Sequence, residues 1–235
     1  MGVMGQAEDM RAKWQEWIRE RQWGELLELR RQREMFHELR DAMISDPHAQ
    51  AFLRMFARMY ARDQVITVRS LTDASQDSMS LNRLLHEALN HPGLLNRRWY
   101  VERWVAANLD WEDGEAVANE EYTGLLGEGE IADEWIIFRD IKRLGEETQH
   151  VREYANRAVA HISKKKLPRV TFEDLERAVD DVIDMFGRWS TIVAGGWHYV
   201  DGRIGGDWKH PFRTALFRGP FDDLPPELRP GAESR

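Results

Sequence analysis

Residues 154–166 read YANRAVAHISKKK. Arg157 and His161 stand one helical turn apart, and Lys164, Lys165 and Lys166 follow them. On a helix that turns about 100° per residue, the two side chains lie about 40° apart on one flank of the buried stripe. Tyr154 and His150 extend that flank, Arg152 falls on the opposite one, and Asn156 faces away from the core. Such a pair can cleave RNA without a metal. A histidine titrating near neutrality takes the proton from a ribose 2′-OH. The 2′-oxygen then attacks the adjacent phosphate, and an arginine holds the charge that builds on the phosphoryl oxygens. The neighbourhood suits a polyanion, with nine Lys or Arg and four Asp or Glu between Arg139 and Arg169. The ordinary alternative is a basic helix end, whose lysines offset the helix dipole.

Three other constellations compete. Glu34 with His37, and Glu147 with His150, form two Glu-x-x-His pairs. Two such pairs plus two further glutamates can hold a di-iron centre in a helical bundle. No isolated glutamate sits on the apolar stripe of a partner helix, so this ranks third. His86, Glu87 and His91 miss the zincin spacing by one residue. In the tail, Trp197, Tyr199, Trp208, Phe212 and Phe217 alternate with Arg203, Lys209, Arg213 and Arg218. Aromatics among cations can stack bases, but such a tail more often packs over a bundle with its aromatics buried.

The elements that must position these groups read as helices. Residues 7–44 form one long helical pattern with a break expected at Gly24. Asp46-Pro47 signals a restart, with Asp46 as N-cap, for a helix to about Ser70. Ser80 caps a short helix that ends at Pro92-Gly93. Another helix begins near Leu94 and fades by Leu109. From Val105 to Phe138 there is no Lys or Arg, and Asp110 to Glu134 holds ten acids. The segment 110–129 therefore reads as an irregular acidic insertion. Helix resumes near Glu130 and runs to about Ser163, with Ile137, Ile141, Leu144, Thr148, Val151, Ala155, Ala158 and Ile162 stepping by four and three. Thr171 to Asp174 resembles a capping box for a last helix that reaches Ala194. The expected architecture is an all-α bundle over 7–194. The remainder, 195–235, is an irregular aromatic tail with a hairpin signal at Asp201-Gly202 and a disordered end.

Two separated segments resemble the HEPN superfamily, and within it the AbiU-like abortive-infection group. One is NRAVAHISKKK followed by TFEDLERAVDDVIDMF; the other is DQVITVRSLTDASQDSMSLNRLL, Asp63 to Leu85. The likeness spans roughly residues 10 to 194. It implies a helical bundle of HEPN type, generally a homodimer. It also implies a metal-independent ribonuclease that uses an arginine and a histidine and serves as a toxin or antiphage defence protein, with an antitoxin or regulatory protein as a further partner. The histidine carried over is His161. The arginine departs from the family pattern, which sets the two further apart than the three residues between Arg157 and His161. The matching positions here are Asn156, Ala155 and Tyr154, and Arg152 lies too far back. Either Arg157 substitutes from one place later, or the chain is a catalytically silent module that binds RNA or a protein.

Composition bounds both readings. The 235 residues carry a net charge of −8 and are 42% hydrophobic. An acidic chain does not bind nucleic acid over its whole surface, though a local basic patch remains open to it. It has no cysteine, which excludes disulfides and thiolate metal sites and fits a reducing cytoplasm. No apolar run approaches the ~20 residues of a membrane span, and the first residues lack the apolar centre of a signal peptide. No cofactor is expected. Most of the ten tryptophans should be core or interface anchors.

Overall fold

The structure, a computed structural model, describes residues 3–108, 112–159 and 168–194. Among them every regular element is helical, and the one β-contact is an isolated bridge between Asn96 and Ile131. No helix of the described residues is long and apolar enough to cross a membrane. The tail 195–235, with its hairpin signal, lies outside the described residues.

The first long pattern resolves into α1 (Val3–Glu16), a π turn (Trp17–Gln22) and α2 (Trp23–Met43). The irregularity therefore falls before Gly24, not at it, and Gly24 lies inside α2. The wider turn brings Trp17, Ile18 and Gln22 all inward, and Gln22 Nε2 donates to the Met79 carbonyl at 2.9 Å.

α3 (Gln50–Leu71) starts from Ala49, later than expected. Asp46 is spent on the preceding turn, where its Oδ1 accepts from the His48 N–H at 2.8 Å. Ser80 caps α4 (Leu81–Asn90) as expected, accepting from the Arg83 N–H at 3.0 Å. A 3₁₀ turn, Pro92–Leu94, leads to α5 (Arg97–Ala107), which Asn96 caps.

The acidic segment 110–129 corrects the expectation of irregular chain, because it contains α6 (Gly114–Leu126). Ala118, Tyr122 and Leu126 recur every four residues and are fully buried. Two of its glycines stand at the ends, where they cost little. Gly114 opens the helix, and Gly127 closes it at φ 103°, a conformation that favours glycine. The cation that the segment lacks comes from α5. Arg97 donates to the Asn119 carbonyl, Thr123 Oγ1 and the Gly127 carbonyl at 3.0 to 3.1 Å, and lies over the Tyr122 ring.

α7 (Glu134–Tyr154) begins at an Asp133 cap and passes into a second π turn, Ala155–Val159. α8 (Phe172–Ala194) opens on the expected capping box. Thr171 Oγ1 accepts from the Asp174 N–H at 3.1 Å, and Asp174 Oδ2 accepts from the Thr171 N–H at 2.9 Å.

The core draws on every helix from α1 to α8 and includes Trp14, Trp189, Tyr100, Tyr122 and Phe186, all fully buried. Each of the two enclosed indoles gives its N–H to a buried carboxylate. Trp14 Nε1 donates to Glu87 Oε2 at 2.9 Å, and Trp189 Nε1 to Asp140 Oδ2 at 3.1 Å. Both acids are also ion-paired, Glu87 to Lys13 at 2.9 Å and Asp140 to Arg188 at 2.9 Å. A buried charge held this way is satisfied, and losing it leaves its partners stranded. Among the described residues one tryptophan departs from the expected pattern. Trp135, 66% exposed, stacks on exposed Phe138 at 5.7 Å at the start of α7.

Candidate functional site

α7 carries the expected site at its C-terminal end. Val151 and Ala155 point into the core and fix the rotation of the helix. Arg152 and Tyr154 are half-buried, and Tyr154 packs against the core cluster. Asn156 is exposed. Its Oδ1 accepts a hydrogen bond from Arg69 Nε, at the end of α3, at 2.6 Å. The bond brings the Arg69 guanidinium to the π turn.

Arg157 sits inside the π turn and is half-exposed, with its NH2 3.5 Å from Glu153 Oε2. This is a solvent-screened pair one turn apart, which is weak. The π turn changes the expected phase. The 40° separation of Arg157 and His161 assumes an α-helix, and the α-helix ends at Tyr154. His161, Lys164, Lys165 and Lys166 lie outside the described residues. Of the expected cluster, the described structure therefore places Arg152, Tyr154, Asn156 and Arg157 on one stretch of helix and adds Arg69. π turns recur at functional sites because they re-aim side chains.

The sequence reading missed a second polar cluster between α2, α3 and α8. Arg33 Nε lies 2.5 Å from Glu176 Oε2, and its NH1 2.5 Å from Asp180 Oδ1. His37 Nε2 is 3.3 Å from the same Glu176 oxygen, and Tyr60 Oη donates to Glu176 Oε1 at 2.8 Å. Burial and the Glu176 carboxylate push the Tyr60 hydroxyl well above its usual range, so it stays a donor at neutral pH. Phe36 stacks on Tyr60 at 4.2 Å and on Phe172 at 5.6 Å beneath the cluster. The available signal was two pairs at helical spacing, Arg33 with His37 and Glu176 with Asp180, on helices far apart in sequence. These charges satisfy one another and tie the three helices together.

The same contacts bear on the di-iron alternative. His37 turns to Glu176 rather than toward Glu147 and His150, which are exposed on α7. Among the described residues no three His, Asp or Glu side chains converge to hold a metal ion.

No family model matches the chain, and no match is found among curated proteins or solved structures.

Proposed function

We propose that the protein is a metal-independent ribonuclease of HEPN-like type, a cytoplasmic toxin or antiphage defence protein of the abortive-infection kind that acts as a homodimer. His161 takes the 2′-OH proton of the RNA. The 2′-oxygen bonds to phosphorus, the bond from phosphorus to the 5′-oxygen breaks, and the departing oxygen takes up a proton. The product ends are a 2′,3′-cyclic phosphate and a 5′-hydroxyl. Arg157 stabilises the phosphoryl charge. Arg152, Tyr154, Asn156, Lys164, Lys165 and Lys166 hold the RNA strand.

The observation that carries this reading is that Arg69 is tied by hydrogen bond to the π turn that holds Arg157. Arg157 is half-exposed there, Arg152 lies one turn before Asn156, and Asn156 holds Arg69. In a chain of net charge −8, a local excess of cations marks where a polyanion would be drawn. The test is incubation of purified protein with single-stranded RNA in excess chelator. Cleavage that leaves cyclic phosphate ends supports the proposal; no cleavage, or cleavage only after metal is added, contradicts it.

One contact favours a second reading, a catalytically silent module that binds RNA or a regulatory protein. Glu153 sits on the guanidinium that the chemistry needs. Salt-dependent RNA binding without cleavage would identify that case.

A further inference from the structure

α3 buries Tyr60, Gln64, Val65, Val68 and Leu71 on its inner side. On the side away from the core, Met55 is 52% exposed, Met59 60% and Ile66 42%. At 100° per residue the three fall within an arc of about 40°, roughly opposite the core. Scattered apolar residues on a surface need no explanation, but these share a register. Phe52, Met59 and Ile66 repeat every seven residues, and Met55 takes the fourth place of the first heptad. These are a and d places of a coiled-coil heptad, and the d places that follow on α3 are Arg62 and Arg69.

The charges follow the same register. Arg58 falls at g, on the flank before the seam, and Asp63 at e, on the flank after it. Neither takes part in an ion pair among the described residues. Asp63 and Glu28 rim a groove of about 390 Å³ between α2 and α3, with Phe56, Met59 and Tyr60 along its walls. Two uncompensated carboxylates over aromatic walls match an arginine side chain, whose charge they pair and whose plane stacks on the rings.

We propose that a second copy of the chain docks on this face, with the two α3 helices parallel and in register about a two-fold axis that runs along them. In that arrangement a meets a, d meets d, and each g residue meets the e residue five places later on the other helix. Arg58 and Asp63 are five places apart. Arg58 of each copy then enters the acid-rimmed groove of the other. Arg62, at d, interrupts the apolar seam and meets Arg62 of the second copy, with Asp63 of each copy beside the pair to offset the like charges. An antiparallel two-fold would instead set like flanks together and leave the groove acids unmatched. The inference deepens the dimer part of the proposed function and does not depend on ribonuclease activity.

The chain has no cysteine, so single-cysteine variants report contacts cleanly. Met59→Cys, Ile66→Cys and, on an exposed site off the seam, Arg54→Cys are made in the full-length protein and oxidised mildly at micromolar concentration. Helical circular dichroism checks that each is folded. We expect Met59→Cys and Ile66→Cys both to form covalent dimers and Arg54→Cys not to. An antiparallel two-fold puts at most one seam residue against its own copy, so cross-linking at only one position overturns the register. Cross-linking at neither overturns the surface. If the parent is then still dimeric by ultracentrifugation, the dimer stands and this face is the wrong one; a monomeric parent defeats both. Arg58→Asp should weaken the dimer about tenfold, since symmetry breaks the contact twice, and Arg58→Asp with Asp63→Arg should restore it. No weakening in the single variant contradicts the proposed pairing.

Discussion

Arg69 Nε donates to Asn156 Oδ1 at 2.6 Å and so joins the end of α3 to the π turn that carries Arg157. The bond brings a second guanidinium to the π turn that holds Arg157. Arg69→Ala should leave stability within about 0.5 kcal/mol, as exposed substitutions do. It should weaken RNA binding and reduce the slope of log affinity against log salt by about one, the loss of one phosphate contact. Binding measured over a salt series checks this; an unchanged affinity and slope would place Arg69 outside the RNA path.

Asp140 holds both the Trp189 indole and the Arg188 guanidinium. Arg188 also donates to the Leu125 carbonyl at the end of α6, so one buried acid links α6, α7 and α8. Asp140→Ala should destabilise the fold by about 3 kcal/mol, because it strands a charge and an N–H in the core. Urea denaturation followed by circular dichroism measures it. A loss under about 1 kcal/mol would show that water reaches these groups.

Glu87 is tuned by opposing effects. Burial alone would raise its pKa. Hydrogen bonds from Trp14 and Lys13, with the charges of Lys13 and Arg83, outweigh burial and hold it below the usual carboxylate range. A depressed folded pKa contributes stability that is present above the unfolded value, about 4.3. That stability is lost as pH falls from there through the folded value. Thermal melts at pH 7 and pH 3 should therefore show a larger drop for the parent than for Glu87→Gln. Equal drops would mean that Glu87 has no part in acid sensitivity.

Gly127 closes α6 at φ 103°, and a Cβ there would lie 3.2 Å from Asp133 Cβ. Gly127→Ala should cost about 1 to 2 kcal/mol through backbone strain alone. The melting temperature should fall while the helical signal is kept. No change in melting temperature would mean that the turn relaxes freely.

What the sequence disclosed was local. The Ser80 cap and the Thr171 to Asp174 box were legible because both partners lie within one turn. The Ile137 to Ala155 stripe gave α7 because its period is that of an α-helix. The π turns at Trp17 and Ala155 were not legible, since one extra residue in a turn hardly disturbs an apolar pattern. α6 was hidden because its acids outweighed three buried residues four apart, and because its counter-cation, Arg97, belongs to α5. The Arg33, His37, Tyr60 and Glu176 cluster joins three helices and exists only once they pack. Around the candidate site, spacing pointed to Arg157 and Tyr154 and the family resemblance to Asn156, whereas Arg69 came into view only through its hydrogen bond to Asn156.

The central claim is that His161 moves the proton and Arg157 holds the phosphate charge. It is tested most directly by single-turnover cleavage of single-stranded RNA in excess chelator, comparing the parent with His161→Ala and Arg157→Ala. The account predicts that His161→Ala abolishes cleavage, since no other group in the motif can move the proton at neutral pH. It predicts that Arg157→Ala slows cleavage about a hundredfold with the helical signal and melting temperature kept, as loss of one charge-stabilising group does. A parent that does not cleave RNA, or a His161→Ala variant that cleaves like the parent, would contradict it.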